Sequence, residues 1–235
     1  MTTRRRISLL AVLTIAIAGL VAPAANAAAT RYITISSQGS VKVVPDAVRI
    51  NATASVVAAT SKEALAATAK TSAAVRAALT AAKVDKKDIA TQNVSVYPEY
   101  KYATDGTSTI IGYRASQAFT IVIRSAATAG DVVDAIVLAG GDSLQVNGVT
   151  PFVLDNSKST TAARAVAVKN ARAKAASYAS LLGVKLGKVN YLVENSAPTN
   201  YPPVMALAKA ESDATVIDLG QQDVTVSVTV QWSLL

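Results

Sequence analysis

The side chains able to do chemistry in this 235-residue chain are carboxylates, lysines, tyrosines and hydroxyls, because the sequence contains neither His nor Cys. That excludes a Ser-His-Asp or Cys-His nucleophile, a zinc site built from Cys or His, any disulfide and any thiol redox couple. No Gly-x-Ser-x-Gly occurs and no Ser is followed by Lys at three residues, so neither common serine-nucleophile pattern is present. Gly183-Val184-Lys185-Leu186-Gly187-Lys188 has the wrong spacing for a phosphate loop, follows a helix, and carries Val189 where a Ser or Thr would bind metal. Carboxylate pairs for glycoside chemistry meet only in space, and nothing in the sequence favours them.

Three clusters remain as candidates. Tyr97, Tyr100, Tyr102 and Tyr113 gather around one hairpin. They read either as an aromatic surface for a peptide, a glycan or a neighbouring subunit, or as cross-strand packing, and packing is preferred because strand aromatics usually pack. Lys158, Arg164, Lys169 and Arg172 fall within an arc of about 140° on one long helix, at 100° per residue. They read as an anion- or membrane-facing stripe or, with preference, as the solvated face of an alanine-rich helix. Asp131, Asp134 and Asp142 lack the alternating spacing of a calcium loop; Asp131 suits a helix start and Asp134 a solvated face, so no metal and no cofactor are assigned.

The elements that would position these residues follow from periodicity and punctuation. Arg31–Val44 reads as a strand pair broken near Gln38-Gly39-Ser40, followed by a Pro45-Asp46 turn and a strand over Val48–Val57. Thr60-Ser61-Lys62-Glu63 has capping-box spacing and opens a helix with a buried stripe of Leu65, Thr68, Ser72, Val75, Leu79 and Ala82. Val94–Tyr102 and Ile110–Arg124 form a hairpin around Asp105-Gly106. A helix over Ala126–Leu138 stops at Gly140-Gly141, and a strand region covers Leu144–Leu154. The longest helix spans Ser157–Leu182, a strand covers Val189–Val193, and Glu194–Asp213, with Pro198, Pro202 and Pro203, is a surface loop. Val224–Trp232 alternates cleanly, with Val224, Val226, Val228, Val230 and Trp232 inward. Hairpins dominate over strand–helix–strand alternation, so the fold class is α+β: largely antiparallel sheet with helices packed on one face.

Residues 1–27 read as a secretory signal: Arg4, Arg5 and Arg6 precede an apolar run over Ile7–Val21, and Ala25-Asn26-Ala27 supplies the small-residue cleavage site. The apolar run is short of the ~20 residues that span a bilayer. Cleavage takes away three positive charges and no acid, so the net charge falls from +8 to +5 over the remaining 208 residues. That remainder, 28–235, is expected to be one domain of up to two lobes, soluble and without a membrane span. An exported chain with no basic run interleaved with aromatics has no nucleic-acid partner.

Several segments in order carry a resemblance. They are Pro45-Asp46-Ala47, the run Asp88–Tyr100 with Asn93-Val94-Ser95-Val96-Tyr97-Pro98-Glu99-Tyr100, Ile111-Gly112-Tyr113-Arg114-Ala115, Ala163–Ala175, Tyr178-Ala179 and Leu182-Gly183-Val184. This series resembles the SIMPL-domain family, formerly a domain of unknown function with secreted or periplasmic bacterial members. Two turns depart from its pattern: Ser37 stands where the first Gly of a Gly-x-Gly is common, and Lys83-Val84 stands where Gly commonly precedes the aliphatic residue. The resemblance implies an envelope protein of the periplasm, cell envelope or exterior, linked to oxidative-stress tolerance or surface immunogenicity, with homo-oligomers among its members and no catalytic residues to carry over. The reading is therefore a non-enzymatic protein acting by self-assembly or by binding an envelope protein, peptide or glycan. The alternative is a small-molecule or peptide binding protein or enzyme with a pocket lined by carboxylates, Tyr and Lys. A direct antioxidant role has no chemistry here, since Cys is absent and Met205 alone would remain after cleavage.

Overall fold

The computed structural model describes residues 31–195, 199–201 and 215–235. The expected signal, and most of the Pro-rich segment with Pro198, Pro202 and Pro203, lie outside the described residues. The architecture is α+β, as the hairpin-rich pattern implies: two four-stranded antiparallel sheets, each covered on one face by helix.

The strictly alternating segment forms the centre of one sheet. Strand β8 (Gln222–Leu234) pairs along one side with β1 (Tyr32–Val43) and along the other with β6 (Leu186–Glu194) and the short β7 (Thr199–Tyr201). Val224, Val226, Val228, Val230 and Trp232 are buried, as the period-two pattern requires. Helix α3 (Ser157–Leu181) covers them with Thr160, Ala163, Ala167, Ala171, Ala175 and Ala179. Buried residues separated by three or four places form one ridge, and a ridge of methyl groups lets the helix axis sit close to the sheet.

Gly39 shows how close. A Cβ there would stand 2.8 Å from the Ala167 Cα and closer still to the Ala167 nitrogen and the Ala163 carbonyl oxygen. The expected break at Gln38-Gly39-Ser40 does not exist: β1 runs unbroken through it, in register with β8 from Tyr32↔Ser233 to Val43↔Gln222. The glycine marks backbone approach, the other reason a strand carries one. Asn170 Nδ2 donates to the Gln38 carbonyl at 3.1 Å beside it.

The second sheet has the order β3-β4-β2-β5, from β3 (Ile89–Tyr102), β4 (Ser108–Ile123), β2 (Ala47–Ala58) and β5 (Leu144–Phe152). Its inner face packs Ile50, Phe119, Ile121 and Ile123 against Val75 and Leu79 of α1 (Ser61–Ala81) and Val132 and Ile136 of α2 (Ala129–Gly140). The Thr60/Glu63 capping box forms in both directions: the Glu63 amide donates to Thr60 Oγ1 at 3.2 Å, and the Thr60 amide to Glu63 Oε2 at 3.1 Å. The buried stripe of α1 differs from the expected one at both ends. Ala64 is buried while Leu65 is 43% exposed and Ala82 is an exposed cap, because Ala64 lies four residues before Thr68 on the same ridge.

Asp46 ties the two sheets together. Its carbonyl accepts the Ala126 amide at 2.9 Å and its Oδ1 accepts the Leu154 amide at 2.8 Å. The connections β1–β2 and β5–α3 thus meet on one residue. Gln222 Nε2 adds a buried bond of 2.7 Å to the Pro151 carbonyl. Ile217 and Leu219 pack onto the core beneath α1 and α2, and Asp134 accepts from the Thr215 amide at 3.2 Å and from its hydroxyl. Asp134 is therefore a half-buried anchor for that returning segment and not a solvated-face residue.

Helices α1 and α3 end in the same hydrogen-bonded turn. After α1 the Val84 amide donates to Leu79 and Lys83 to Thr80; after α3 Val184 donates to Ala179 and Gly183 to Ser180. Both turns place their central residue at positive φ, 61° at Lys83 and 68° at Gly183. That is the position glycine favours, and a Cβ there costs about 1 kcal/mol.

Two stability outcomes follow. Gly39→Ala lowers unfolding stability by about 3 kcal/mol, since its Cβ meets helix backbone and not a flexible side chain; equal denaturation midpoints for variant and parent would disprove the close approach. Lys83→Gly raises stability by about 0.5–1 kcal/mol and Gly183→Ala lowers it by a similar amount, read from paired urea midpoints.

Candidate functional site

The hairpin β3–β4 is the ribbon on which the tyrosines sit. Its pairing runs Tyr97↔Arg114, Pro98↔Tyr113 and Glu99↔Gly112, shifts register after Glu99, and continues as Tyr100↔Ile110 and Tyr102↔Ser108. Residues directly opposite share a face, so Tyr97 and Tyr113 lie on opposite faces of the sheet. The four tyrosines do not make one surface. Tyr113 is half-buried beside β2, while Tyr97, Tyr100 and Tyr102 are exposed. Tyr100 and Tyr102 stack loosely, with ring centroids 6.3 Å apart at 35°, and Tyr102 is 75% exposed. Cross-strand packing thus accounts for only part of the cluster.

Exposed aliphatics extend this ribbon: Val94, Val96, Ile110 and Ile111 join the three tyrosines. Val94 and Val96 face the same side as Tyr113, where β3 reaches beyond the helices that cover β4 and β2. Strand β3 is also an edge, so among the described residues one row of its backbone groups has no partner strand. Pro98 and two register shifts, after Thr91 and after Glu99, interrupt that edge. Across the ribbon Arg114 clasps Glu99 in a two-pronged pair of 2.9 and 3.1 Å. The arginine's hydrogen bond holds the Glu99 carboxyl below its ordinary range.

The basic residues on α3 are all exposed, but they are not equivalent. Arg164 reaches across to Glu194, at the end of β6, with bonds of 2.7 and 3.0 Å. Lys158, Lys169 and Arg172 form no ion pair within 4.0 Å among the described residues. The stripe is therefore three free cations interrupted by one that is neutralised. No sequence signal announces this, because the partners lie 30 residues apart and meet only once β6 lies beside α3.

A second apolar exposure had no counterpart among the candidate residues. Tyr178, Leu181 and Leu182 at the end of α3, and Val189, Tyr191, Leu192 and Val193 on β6, are all exposed. Their sequence looks like an ordinary helix end and a core strand; only the position of β6 at a sheet edge turns its side chains outward. Among the described residues no three Asp or Glu side chains come together as metal ligands, and no helix is long and apolar enough to cross a membrane.

Residues 33–232 match the profile of SIMPL, described as a protein of unknown function (DUF541). The chain belongs to the SIMPL family. It is similar to the 26 kDa periplasmic immunogenic protein of Brucella melitensis, with 30% identity over 215 residues, 86% of this chain and 84% of that one. It is also similar to the uncharacterized protein YggE of Escherichia coli K12, with 30% identity over 204 residues covering 83% and 78% of the two chains. The family match spans both sheets.

In one charge pair of this SIMPL protein the acid is covered while the base stays half exposed. Arg124 holds Asp88 through bonds of 2.7 and 2.8 Å, and the Asp88 side chain is only 8% exposed. The arginine's hydrogen bond pulls the Asp88 carboxyl below its usual range. A carboxyl with a lower pKa folded than unfolded stabilises the fold above the unfolded value near pH ~4, and that contribution disappears as pH falls through the folded value. Asp88→Asn should accordingly melt at lower temperature than the parent at pH 7, and the gap should narrow as pH falls below about 4. An unchanged gap across thermal melts from pH 7 to pH 2 would show that the pair contributes no pH-dependent stability.

Proposed function

We propose that this SIMPL protein is an exported, periplasmic, non-enzymatic protein that works by self-assembly through the β3–β4 ribbon. The observation that carries the reading is the ribbon's exposed apolar set, Val94, Val96, Tyr97, Tyr100, Tyr102, Ile110 and Ile111, on a hairpin whose outer strand is a sheet edge. Apolar groups concentrated on one projecting element are what a protein–protein contact buries. Tyrosine suits such a contact, since it buries a large ring while its hydroxyl stays hydrogen-bonded. The similarity to a periplasmic immunogenic protein over most of both chains supports the location, as does the signal-like pattern of residues 1–27. The non-enzymatic part rests on residue types: neither His nor Cys is present, and the carboxyls with shifted pKa are each lowered by an arginine partner or by hydrogen bonds from Ser or Thr. The association with envelope or oxidative stress then belongs to what the assembly does, since this chain holds no thiol to oxidise.

The test is light scattering on the purified exported protein over a hundredfold concentration range, with Tyr102→Ser and Ile111→Ser in parallel. Both side chains are solvent-exposed in the single chain, so the substitutions leave its core intact. The parent should form a species several times the mass of one chain, and the double variant should need at least tenfold more protein to assemble, about 1.4 kcal/mol of lost contact. A parent that stays monomeric throughout, or a variant that assembles equally well, rejects the ribbon as the contact.

A further inference from the structure

The sheet built on β8 joins the rest of the protein from one end only. There β1 stops at Val43 opposite Gln222, β8 starts, and α3 starts at Ser157. Strand β8 then runs about 40 Å, at ~3.3 Å per residue, to the opposite end, where α3 also finishes. At that free end Lys185 and Leu235 exchange both backbone hydrogen bonds, at 2.9 and 2.8 Å. The Leu234 amide donates to the Arg31 carbonyl at 2.9 Å. The turn after α3 and the first and last described residues therefore meet in one place.

The leucines of this end face water. Leu181 is 79% exposed, Leu182 65% and Leu235 75%. Single exposed leucines need no explanation, but three brought together from separate segments mark a contact surface. Asn170, which reaches β1, starts a row on α3 that continues at four-residue steps through Lys174, Tyr178 and Leu182. The row ends among these leucines, and Tyr178 adds an exposed ring.

The side-chain charges around them have one sign. Arg31, Lys174, Lys185 and Lys188 are exposed, and among the described residues none has a carboxylate within 4.0 Å. The terminal carboxylate of Leu235 is the one negative group set against these four. Neither α3 nor β1 contains an Asp or Glu. Asp223 lies at the far end of β8, and Glu194, opposite Val228, lies about 20 Å back along the strand and is held by Arg164.

We propose that this end docks on an anionic lipid bilayer surface, with Leu181, Leu182 and Leu235 among the headgroups and the four cations on lipid phosphates. Leucines ringed by cations suit that interface, because the leucines leave water while each cation gains from the negative surface potential. Tyrosine also favours headgroup depth. A second copy brought up end to end would set like charges against each other. The chain order points the same way. The apolar run Ile7–Val21 precedes Arg31, and residues 22–30 between them span at most about 35 Å when extended. Whenever that run lies in a membrane, this end of the fold is the one tethered near its surface.

Co-sedimentation of the purified exported protein, residues 28–235, with lipid vesicles tests the proposal. Vesicles of equal parts phosphatidylglycerol and phosphatidylcholine should bind at least tenfold more tightly than phosphatidylcholine alone, and added salt should weaken the binding. Leu181→Ser with Leu182→Ser, and separately Lys185→Gln with Lys188→Gln, should each lower affinity at least tenfold. All four side chains are exposed, so the fold should be kept. Lys158→Gln with Lys169→Gln removes equal charge elsewhere on α3 and should bind as the parent does. Absence of binding to the anionic vesicles, equal binding to phosphatidylcholine, undiminished affinity in either end variant, or an equal loss in the Lys158/Lys169 variant would each overturn the proposal. Loss of self-assembly without loss of vesicle binding in Leu181→Ser/Leu182→Ser would also overturn it, assigning this end to a second copy. The same losses are expected in the Tyr102→Ser/Ile111→Ser background, so a failure of docking is distinct from a failure of ribbon assembly.

Discussion

Helix α3 lies so near its sheet that residue 39 has room for a hydrogen and nothing larger, and much of the rest follows from that approach. The helix reaches this distance because its buried ridge is alanine at five positions four residues apart, from Ala163 to Ala179. Short side chains give up hydrophobic area per residue, but they bring helix backbone and sheet into close packing over a long contact. Val226, Val228, Val230 and Trp232 on β8 fill the remaining depth from below.

Two polar groups, Asp46 and Gln222, bond segments of one sheet to segments of the other. Asp46 takes amides from two separate connections, and Gln222 reaches the Pro151 carbonyl in a buried bond. Such bonds are directional, so they fix the meeting angle of the sheets where apolar contacts alone would permit sliding. Gln222 Oε1 has no partner and Ser72 Oγ and Thr160 Oγ1 are likewise buried without one, so the interior tolerates some polar cost among its apolar contacts. The long ribbon β3–β4 projects from this unit, with its apolar residues outside the area the helices cover.

Charge is used locally in this protein. Arg114, Arg124 and Arg164 each take one carboxylate in a two-pronged grip, and each grip fastens a strand or its entry turn: β3 to β4, the turn before β3 to the end of β4, and β6 to α3. The planar guanidinium suits that task, because its fixed fork matches a carboxylate. The lysines are spent differently and mostly remain free at the surface, where they contribute to the net positive charge.

Much of the fold was legible in the sequence because it depends on period and punctuation. The alternation of Val224–Trp232, the Thr60/Glu63 capping box, the Asp105-Gly106 hairpin and the long helix up to Gly183 are local patterns, and the absence of His and Cys limits the chemistry whatever the fold. What local pattern could not supply was distance. Gly39 looked like a break because its sequence neighbours do not include Ala163 and Ala167, more than a hundred residues away. Leu65 looked buried because it is the larger of two adjacent apolar residues, yet ridge geometry chose Ala64. The four tyrosines could be grouped around one hairpin, but not divided by face until the ladder register set Tyr97 and Tyr113 on opposite faces, and the basic residues of α3 could not be told apart until β6 brought Glu194 to Arg164. Residue types and periods determined the elements and the chemistry open to them. Which side chains meet, and which are left facing water, was decided by tertiary structure, because contact is a property of distance in space and not of separation along the chain.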